Sequence, residues 1–347
     1  MKNKTAMPGR PRRASIKDVA ERAGVSTATV SHVFSGKKHV NEALETRVRA
    51  AAKELGYSVD RVASRLRSGK AKVIAVMVPD LEDLFLSRFV SRIEAQAEDS
   101  GFEVILSCSR NDPELERTRL QAMLAWRPTG LIFVPCRDQL PMDILRNHPD
   151  LPIIGADRVN PSLTPFDTVT VDNYGSGWTV TDNLITKGAT SILMVTSVTG
   201  IATIRERIRG AQERVSRETG VTLQVLEIGS DPTTGAARLG EWLGEKGLPD
   251  AVVCLTNVMT LAALASFAHI GIEAPEDLML IGYHDSLWMT ARRVPITTVS
   301  LPIDDVARAV WQQLESRVSG DDSPCRNTVL STSLIERDTT RARAIGR

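Results

Sequence analysis

Cysteine is scarce and scattered: Cys108, Cys136, Cys254 and Cys325 form no Cys-x-x-Cys pair. That excludes a disulfide framework or a zinc knuckle and predicts small, buried apolar residues instead. The five histidines (His32, His39, His148, His269 and His284) show no metal-ligand spacing. No run reaches the roughly 18 apolar residues of a membrane span. Five cations among the first fifteen residues are followed by no apolar signal segment, so a cytoplasmic chain that meets no membrane is expected. Gly-x-x-x-x-Gly-Lys and Gly-x-Ser-x-Gly are both missing, and Val180 takes the third glycine position after Gly175-Ser-Gly177. Without those motifs neither a phosphate cradle nor a nucleophile elbow is expected. The chain is therefore read as a non-enzyme with no cofactor and no metal. What is present, 42% hydrophobic and 24% charged residues over 347 positions, supports two or three globular units and excludes a mostly disordered chain.

Charge is segregated although the net value is +1. Residues 1–72 hold 17 Lys+Arg and 6 Asp+Glu, net +11; residues 73–347 hold 26 and 36, net −10. A small basic head precedes a large acidic body, and clustered cations in a short module are the footprint of nucleic-acid binding, because cations meeting phosphates release condensed counterions.

The head reads as a helix-turn-helix. Ser15-Ile-Lys-Asp18 has the form of a capping box, and Ile16, Val19, Ala20 and Ala23 recur at helical spacing. Gly24 suits the tight turn, Val25 a plug between helices, and Ser26 the N-cap of a second helix over Thr27–Phe34. Asn41 starts a third helix with Leu44, Val48, Ala51, Ala52 and Leu55 on one face and Gly56 as its stop. Val30 and Val33 face the shared core, leaving Thr27, Ala28, Thr29, Ser31 and His32 for a small, polar outer face suited to the major groove.

The runs Ile16-Lys-Asp-Val-Ala-Glu-Arg-Ala-Gly-Val-Ser-Thr-Ala-Thr-Val-Ser-His-Val33 and Arg47-Val-Arg-Ala-Ala-Ala-Lys-Glu-Leu-Gly-Tyr57 resemble the LacI/GalR family, most closely its purine and ribose repressor branch. The resemblance implies that Thr27, Ala28 and His32 contact bases and that Ser26, Thr29 and Ser31 hold phosphates.

Asp60-Arg-Val-Ala-Ser-Arg-Leu-Arg67 is too short for a stable isolated helix. By the resemblance, Ala63-x-x-Leu66, with Arg61 beside it, matches a hinge helix that pairs with its dimer mate in the minor groove, where Leu66 wedges into the central base step. Family members often have Pro-Asn where this chain has Val59-Asp60, so the proline's rigidity is lost. Pro8-Gly-Arg-Pro-Arg-Arg13 resembles a minor-groove arm only weakly; a disordered basic tail that adds non-specific attraction is the preferred reading.

From Val73 onward apolar runs alternate with amphipathic stretches, the rhythm of a parallel sheet. It restarts after Val169–Val171, so two similar halves of about a hundred residues follow one another, with no residue-level repeat between them. Ligands of open parallel sheets bind outside the strands' carboxyl ends. Those ends hold Asp80, Ser109-Arg110, Arg137-Asp138, Asp157-Arg158, Thr196-Ser197, Ser230-Asp231, Thr256-Asn257 and His284-Asp285.

The resemblance runs from Ser15 to about Thr340, through Leu84-Phe85-Leu86, Asp157-Arg158, Val171-Asp-Asn173, Arg207-Ile-Arg-Gly210, Gly271-Ile-Glu-Ala-Pro-Glu-Asp277, Ile281-Gly-Tyr283, Pro295-Ile-Thr-Thr-Val299 and Leu334-Ile-Glu-Arg-Asp338. It implies an all-α helix-turn-helix head and an α/β periplasmic-binding-protein-like body of two doubly wound parallel-sheet subdomains, joined by three crossing strands. The expected divisions are a basic arm over 1–14, the head over 15–57, the hinge and linker over 58–71 and the effector and dimerisation body over 72–340. Within the body, one subdomain takes about 72–170 and 300–330, and the other about 171–299 and 331–340. Phe85, Asp157, Arg158, Arg207, Asn257, His284 and Asp285 are the expected effector residues, with Arg207 on the family's effector-contacting arginine. His284 replaces an aspartate of sugar-binding members. A protonatable His284 with Arg158 and Arg207 suits an anion such as a sugar acid or phosphosugar; His284 can equally turn away and leave Asp285 as the ligand group.

The expected protein is a homodimeric or larger transcriptional regulator, repressor or activator, that holds double-stranded operator DNA and responds to a small-molecule effector. The direction of that response is not legible in the sequence. The rival readings are a nucleotide- or sugar-dependent enzyme carrying a basic appendage and an exported solute-binding protein. The first lacks its motifs and the second its signal segment.

Overall fold

The computed structural model describes residues 14–35, 40–57 and 72–341. The expected hinge, with Arg61, Ala63 and Leu66, and the basic arm up to residue 13 lie outside the described residues. The chain divides into two compact units, Met1–Ala71 and Lys72–Arg347.

In the first unit, α1 (Ile16–Ala23) begins at a complete capping box: Asp18 N–H reaches Ser15 Oγ at 3.4 Å, and the Asp18 carboxylate accepts Ser15 N–H at 2.7 Å. Gly24, at φ +62°, ends the helix in the left-handed region. The next helix, α2 (Thr27–Ser35), is capped by Ser26, whose Oγ accepts Thr29 N–H at 3.1 Å. Asn41 caps α3 (Glu42–Glu54) through Ala43 N–H at 2.9 Å. Val19, Ala20, Ala23, Val30, Val33, Val48, Ala51 and Ala52 make one small core, with Ile16, Val25, Phe34, Leu55 and Tyr57 packed around it. Arg47 donates to Ala23 O at 2.5 Å, a cation at the carbonyl end of α1 that ties α3 to it.

In the second unit, the sheet nearer the N-terminus has the order β11-β5-β4-β3-β1-β2, every pair parallel. Its strands are β1 (Val73–Val78), β2 (Glu103–Cys108), β3 (Gly130–Phe133), β4 (Ile153–Ala156), β5 (Asp167–Val171) and β11 (Asn327–Leu330). The other sheet runs β12-β10-β9-β8-β6-β7, with only β12 antiparallel. It contains β6 (Ser191–Thr196), β7 (Thr222–Glu227), β8 (Ala251–Cys254), β9 (Met279–Tyr283), β10 (Thr297–Ser300) and β12 (Ser333–Ile335). The inner strands are buried along most of their length because helices cover both faces. The chain passes from one lobe to the other after Val171, after Ser300 and after Leu330, since α12 (Ile303–Val318) packs on the first sheet.

On the first lobe lie α4 (Leu84–Asp99), α5 (Pro113–Leu124) and the single turn α6 (Met142–Leu145). On the second lie α7 (Asn173–Thr186), α8 (Ala202–Ser216), α9 (Pro232–Lys246), α10 (Asn257–Ile270) and the short α11 (Leu287–Thr290). Gly177 and Gly210 allow the close crossing of α7 and α8. A Cβ on Gly177 would lie 1.9 Å from Arg207 O, and one on Gly210 would lie 2.1 Å from Tyr174 O. Asp172 caps α7 by accepting Gly175 N–H at 2.7 Å.

The expectation that all four cysteines are buried is corrected. Cys136 and Cys254 are buried, Cys108 is half-buried, and Cys325 is exposed in the polar connection between α12 and β11. Among the described residues no helix is long and apolar enough to cross a membrane.

Candidate nucleic-acid interface and ligand cleft

On α2, burial of Val30 and Val33 turns the opposite side outward. Ser26, Thr27, Ala28 and Ser31 are exposed, and Thr29 and His32 are half-buried. Ser26 Oγ and Thr29 Oγ1 are 2.9 Å apart, so the two hydroxyls meet at the helix start, where the helix dipole favours a phosphate. The remaining side chains are short enough to let the helix backbone approach base edges.

The candidate ligand residues gather where the two lobes meet, after the carboxyl ends of strands in both sheets. From the first lobe, Asp83 caps α4 through Phe85 N–H at 2.9 Å, which seats the Phe85 ring 4.6 Å from the ring of His284 on the second lobe. Asp157, directly after β4, is buried at φ +55°. Beside it Arg158 donates to Asn111 Oδ1 at 2.9 Å and lies 4.0 Å from Asp83. Burial raises the Asp157 and Asp83 carboxyls above the usual range, opposed by Arg158. Cys136 is also enclosed; burial and the neighbouring Glu116 push its thiol up to about 12, which makes it inert as a nucleophile.

From the second lobe, Arg207 on α8 is 2% exposed. Its Nε donates to Asn173 Oδ1 at 2.9 Å and Nη1 to Leu255 O at 2.6 Å, and the guanidinium lies 4.3 Å from the Tyr283 ring centre. Tyr283 is held in turn by Ser176, with the hydroxyls 3.0 Å apart. Asn257 is buried at the start of α10 and accepts Val258 N–H at 2.8 Å. An Arg205–Asp138 ion pair and the Phe85–His284 contact join the lobes across the cleft.

Two expectations change here. His284 is 7% exposed, and burial together with Arg207 and Arg158 holds its pKa well below 6.5. It is a neutral imidazole, not the cation expected. Its Nδ1 and Nε2 both lack a hydrogen-bond partner among the described residues, as do Ser109 Oγ after β2 and Thr196 Oγ1 at the end of β6. Asp285 faces away, with both carboxylate oxygens on Arg337 at 2.7 and 3.0 Å. The alternative left open by the sequence therefore falls to His284.

Phe85, Asp157, Arg158, Arg207, Asn257 and His284 thus come together, and Asp285 does not join them. Sequence reasoning passed over Asp83, Asn173 and Tyr283 as site residues. Asp83 carried a signal as the carboxylate before an apolar helix, whereas Asn173 and Tyr283 owe their place to Arg207, far away in sequence.

Residues 15–60 match the model of bacterial regulatory proteins of the lacI family, and residues 181–340 that of a periplasmic binding protein-like domain. The HTH-type transcriptional repressor PurR of Haemophilus influenzae (strain PittEE) is 31% identical over 291 residues, 82% of this chain and 85% of the relative. PurR of Vibrio vulnificus (strain CMCP6) is 29% identical over 333 residues, 94% and 99% of the two chains. The lac repressor dimer bound to operator and the anti-inducer ONPF superposes with a TM-score of 0.80 at 24% identity, covering 95% of this chain and 99% of that one. The transcriptional regulator CelR in complex with cellobiose gives 0.69 at 26% identity, covering 94% and 100%. The chain belongs to the lacI family of bacterial regulatory proteins.

Proposed function

We propose that this lacI-family member is a homodimeric repressor whose two heads read a pseudo-palindromic operator and whose body answers an effector bound between its lobes. The chain is a DNA-binding transcriptional repressor that binds a small-molecule effector. In this reading Thr27, Ala28 and His32 meet base edges, Ser26, Thr29 and Ser31 meet phosphates, and Arg61, Ala63 and Leu66 form the minor-groove hinge. The effector touches Phe85, Asp157 and Arg158 on one lobe and Arg207, Asn257 and His284 on the other.

The observation that carries the reading is the meeting of groups from both lobes, Phe85, Asp157 and Arg158 with Arg207 and an unpartnered His284 imidazole, in a chain whose head presents a capped, polar α2. A ligand that contacts both lobes stabilises whichever lobe arrangement brings its contacts together, and it moves operator affinity only by its differential affinity for the two arrangements. Leu106 and Val225, both exposed and each fourth in its edge strand (β2 and β7), support an isologous dimer contact along those edges. The lac repressor that shares the fold is itself a dimer on operator. No bond is made or broken in this account.

Selection of bound duplexes from a random pool tests the reading. Two half-sites related by a dyad are expected, and His32→Ala should relax the choice of base at one position of each half-site. A pool that emerges without sequence preference contradicts it.

A further inference from the structure

Arg207 is enclosed yet has no carboxylate within 4.0 Å among the described residues. Its two hydrogen bonds go to neutral oxygens, and they engage Nε and Nη1 while a guanidinium has five N–H donors. Arg158 stands across the cleft as a like charge that opposes the charge on Arg207, and its nearest carboxylate, on Asp83, is at 4.0 Å. A buried charge without a close counter-ion is costly, so Arg207, with the charge of Arg158 also acting on it, makes a place for an anion. The ring of His284 lies 4.6 Å from that of Phe85 and feels the charge of both arginines, and its two ring nitrogens are enclosed and unpartnered. As a neutral imidazole it offers one donor and one acceptor, the complement of a hydroxyl, which both accepts and donates.

We propose that the effector is a small polyhydroxy carboxylate, a sugar acid, with its carboxylate on Arg207 and Arg158 and a hydroxyl on the His284 imidazole. This deepens the effector-cleft reading above and rests on it. An ammonium compound would meet two like charges. A neutral sugar would leave Arg207 without a close counter-ion, and a phosphosugar would bring a second negative charge up to Asp83 and Asp157. Asp157 serves as acceptor for a further hydroxyl. His284 is thus a specificity-determining residue: an aspartate at this position would set a like charge against the ligand's own.

Isothermal titration of the full chain with D-gluconate, D-galacturonate, D-glucose, D-galactose and glucose 6-phosphate tests this. At least one acid is expected to bind about 100-fold or more tighter than its neutral counterpart and than the phosphosugar, since losing the partner of a buried charged group forfeits several kcal/mol. His284→Asp should cut that acid preference at least about tenfold, and His284→Gln, which keeps a donor and an acceptor, should retain most of it. Unchanged melting temperatures identify folded variants. Tight binding of a neutral sugar with its acid excluded overturns the ligand class and leaves the effector cleft standing; preference for glucose 6-phosphate does the same. An acid preference indifferent to His284→Asp overturns the role of His284. Silence toward every compound, from protein that still binds its selected duplex, counts against both the ligand class and the cleft.

Discussion

Asp157 and His284 occupy the same place in two copies of one architecture. Each directly follows the strand lying third from one edge of its sheet, β4 or β9, and each has a left-handed backbone, at φ +55° and +66°. Each donates its N–H to a valine of the next strand, Asp157 to Val169 O at 3.0 Å and His284 to Val299 O at 2.9 Å. Left-handed backbone is uncommon for a residue with a Cβ and costs about 1–3 kcal/mol unless the surroundings hold it. Here it places one carboxylate and one imidazole on opposite walls of a single cleft.

That strain predicts a trade of stability against binding. Asp157→Gly should raise the free energy of unfolding by roughly 1 kcal/mol, because glycine adopts this backbone freely and a buried carboxyl is removed. Effector binding should weaken in the same variant. Urea unfolding beside calorimetric titration reads both; a destabilised variant with unchanged ligand affinity contradicts the assignment of Asp157.

His284 should impose a pH dependence. Burial, Arg207 and Arg158 hold it neutral in the folded protein, whereas in the unfolded chain it titrates near 6.5. Below about pH 6.5 the unfolded chain therefore binds a proton that the folded one refuses, and stability falls as the pH falls. The carboxyls of Asp83 and Asp157, raised by burial, act in the opposite sense on acidification. The difference between wild type and His284→Gln isolates the imidazole: the two stability curves should run parallel above pH 7 and diverge below 6.5, with the wild type losing more.

The α7–α8 crossing allows no side chain. Gly177→Ala drives a Cβ into the Arg207 carbonyl and forces the helices apart. A loss of about 3 kcal/mol or more is expected, with displacement of Arg207 and loss of effector binding. Gly188→Ala, where nothing lies within 4 Å of an added Cβ but φ is +90°, should cost only about 1 kcal/mol and spare binding. Equal effects of the two would contradict the close-approach account.

In the head, Gly24 combines φ +62° with an added-Cβ distance of 3.1 Å to Arg47 Nη2, the group that caps α1 through Ala23 O. Gly24→Val should destabilise the three-helix unit by about 2 kcal/mol, and operator affinity should fall while ligand affinity in the body is kept. Parallel loss of both functions would contradict the independence of the two folding units.

Much of this was legible locally. The box Ser15–Asp18, the stop at Gly24 and the cap at Ser26 are carried by residues within a few positions of one another, and the apolar runs of β1, β6 and β8 announce buried parallel strands. The duplicated sheet order was legible only as a rhythm, because each lobe fills its core with different apolar residues. What sequence did not disclose depends on distant partners. The neutrality of His284 comes from its burial and from Arg207 and Arg158 on separate lobes, and the commitment of Asp285 needs Arg337, 52 positions away. The burial of Arg207 needs Asn173, Leu255 and Tyr283 converging from three segments. Each is a product of the closed cleft and not of any local pattern.

The central claim is that a basic head reads one duplex while an acidic body senses a ligand that changes that reading. Fluorescence anisotropy of the full chain with a selected duplex against random competitor, at fixed salt and with and without the tightest-binding compound, measures it directly. The account predicts a preference of about a thousandfold or more for the selected duplex, changed between about 5- and 150-fold by the ligand. Equal affinity for selected and random duplex, or a selected-duplex affinity that the bound ligand leaves unmoved, would contradict it.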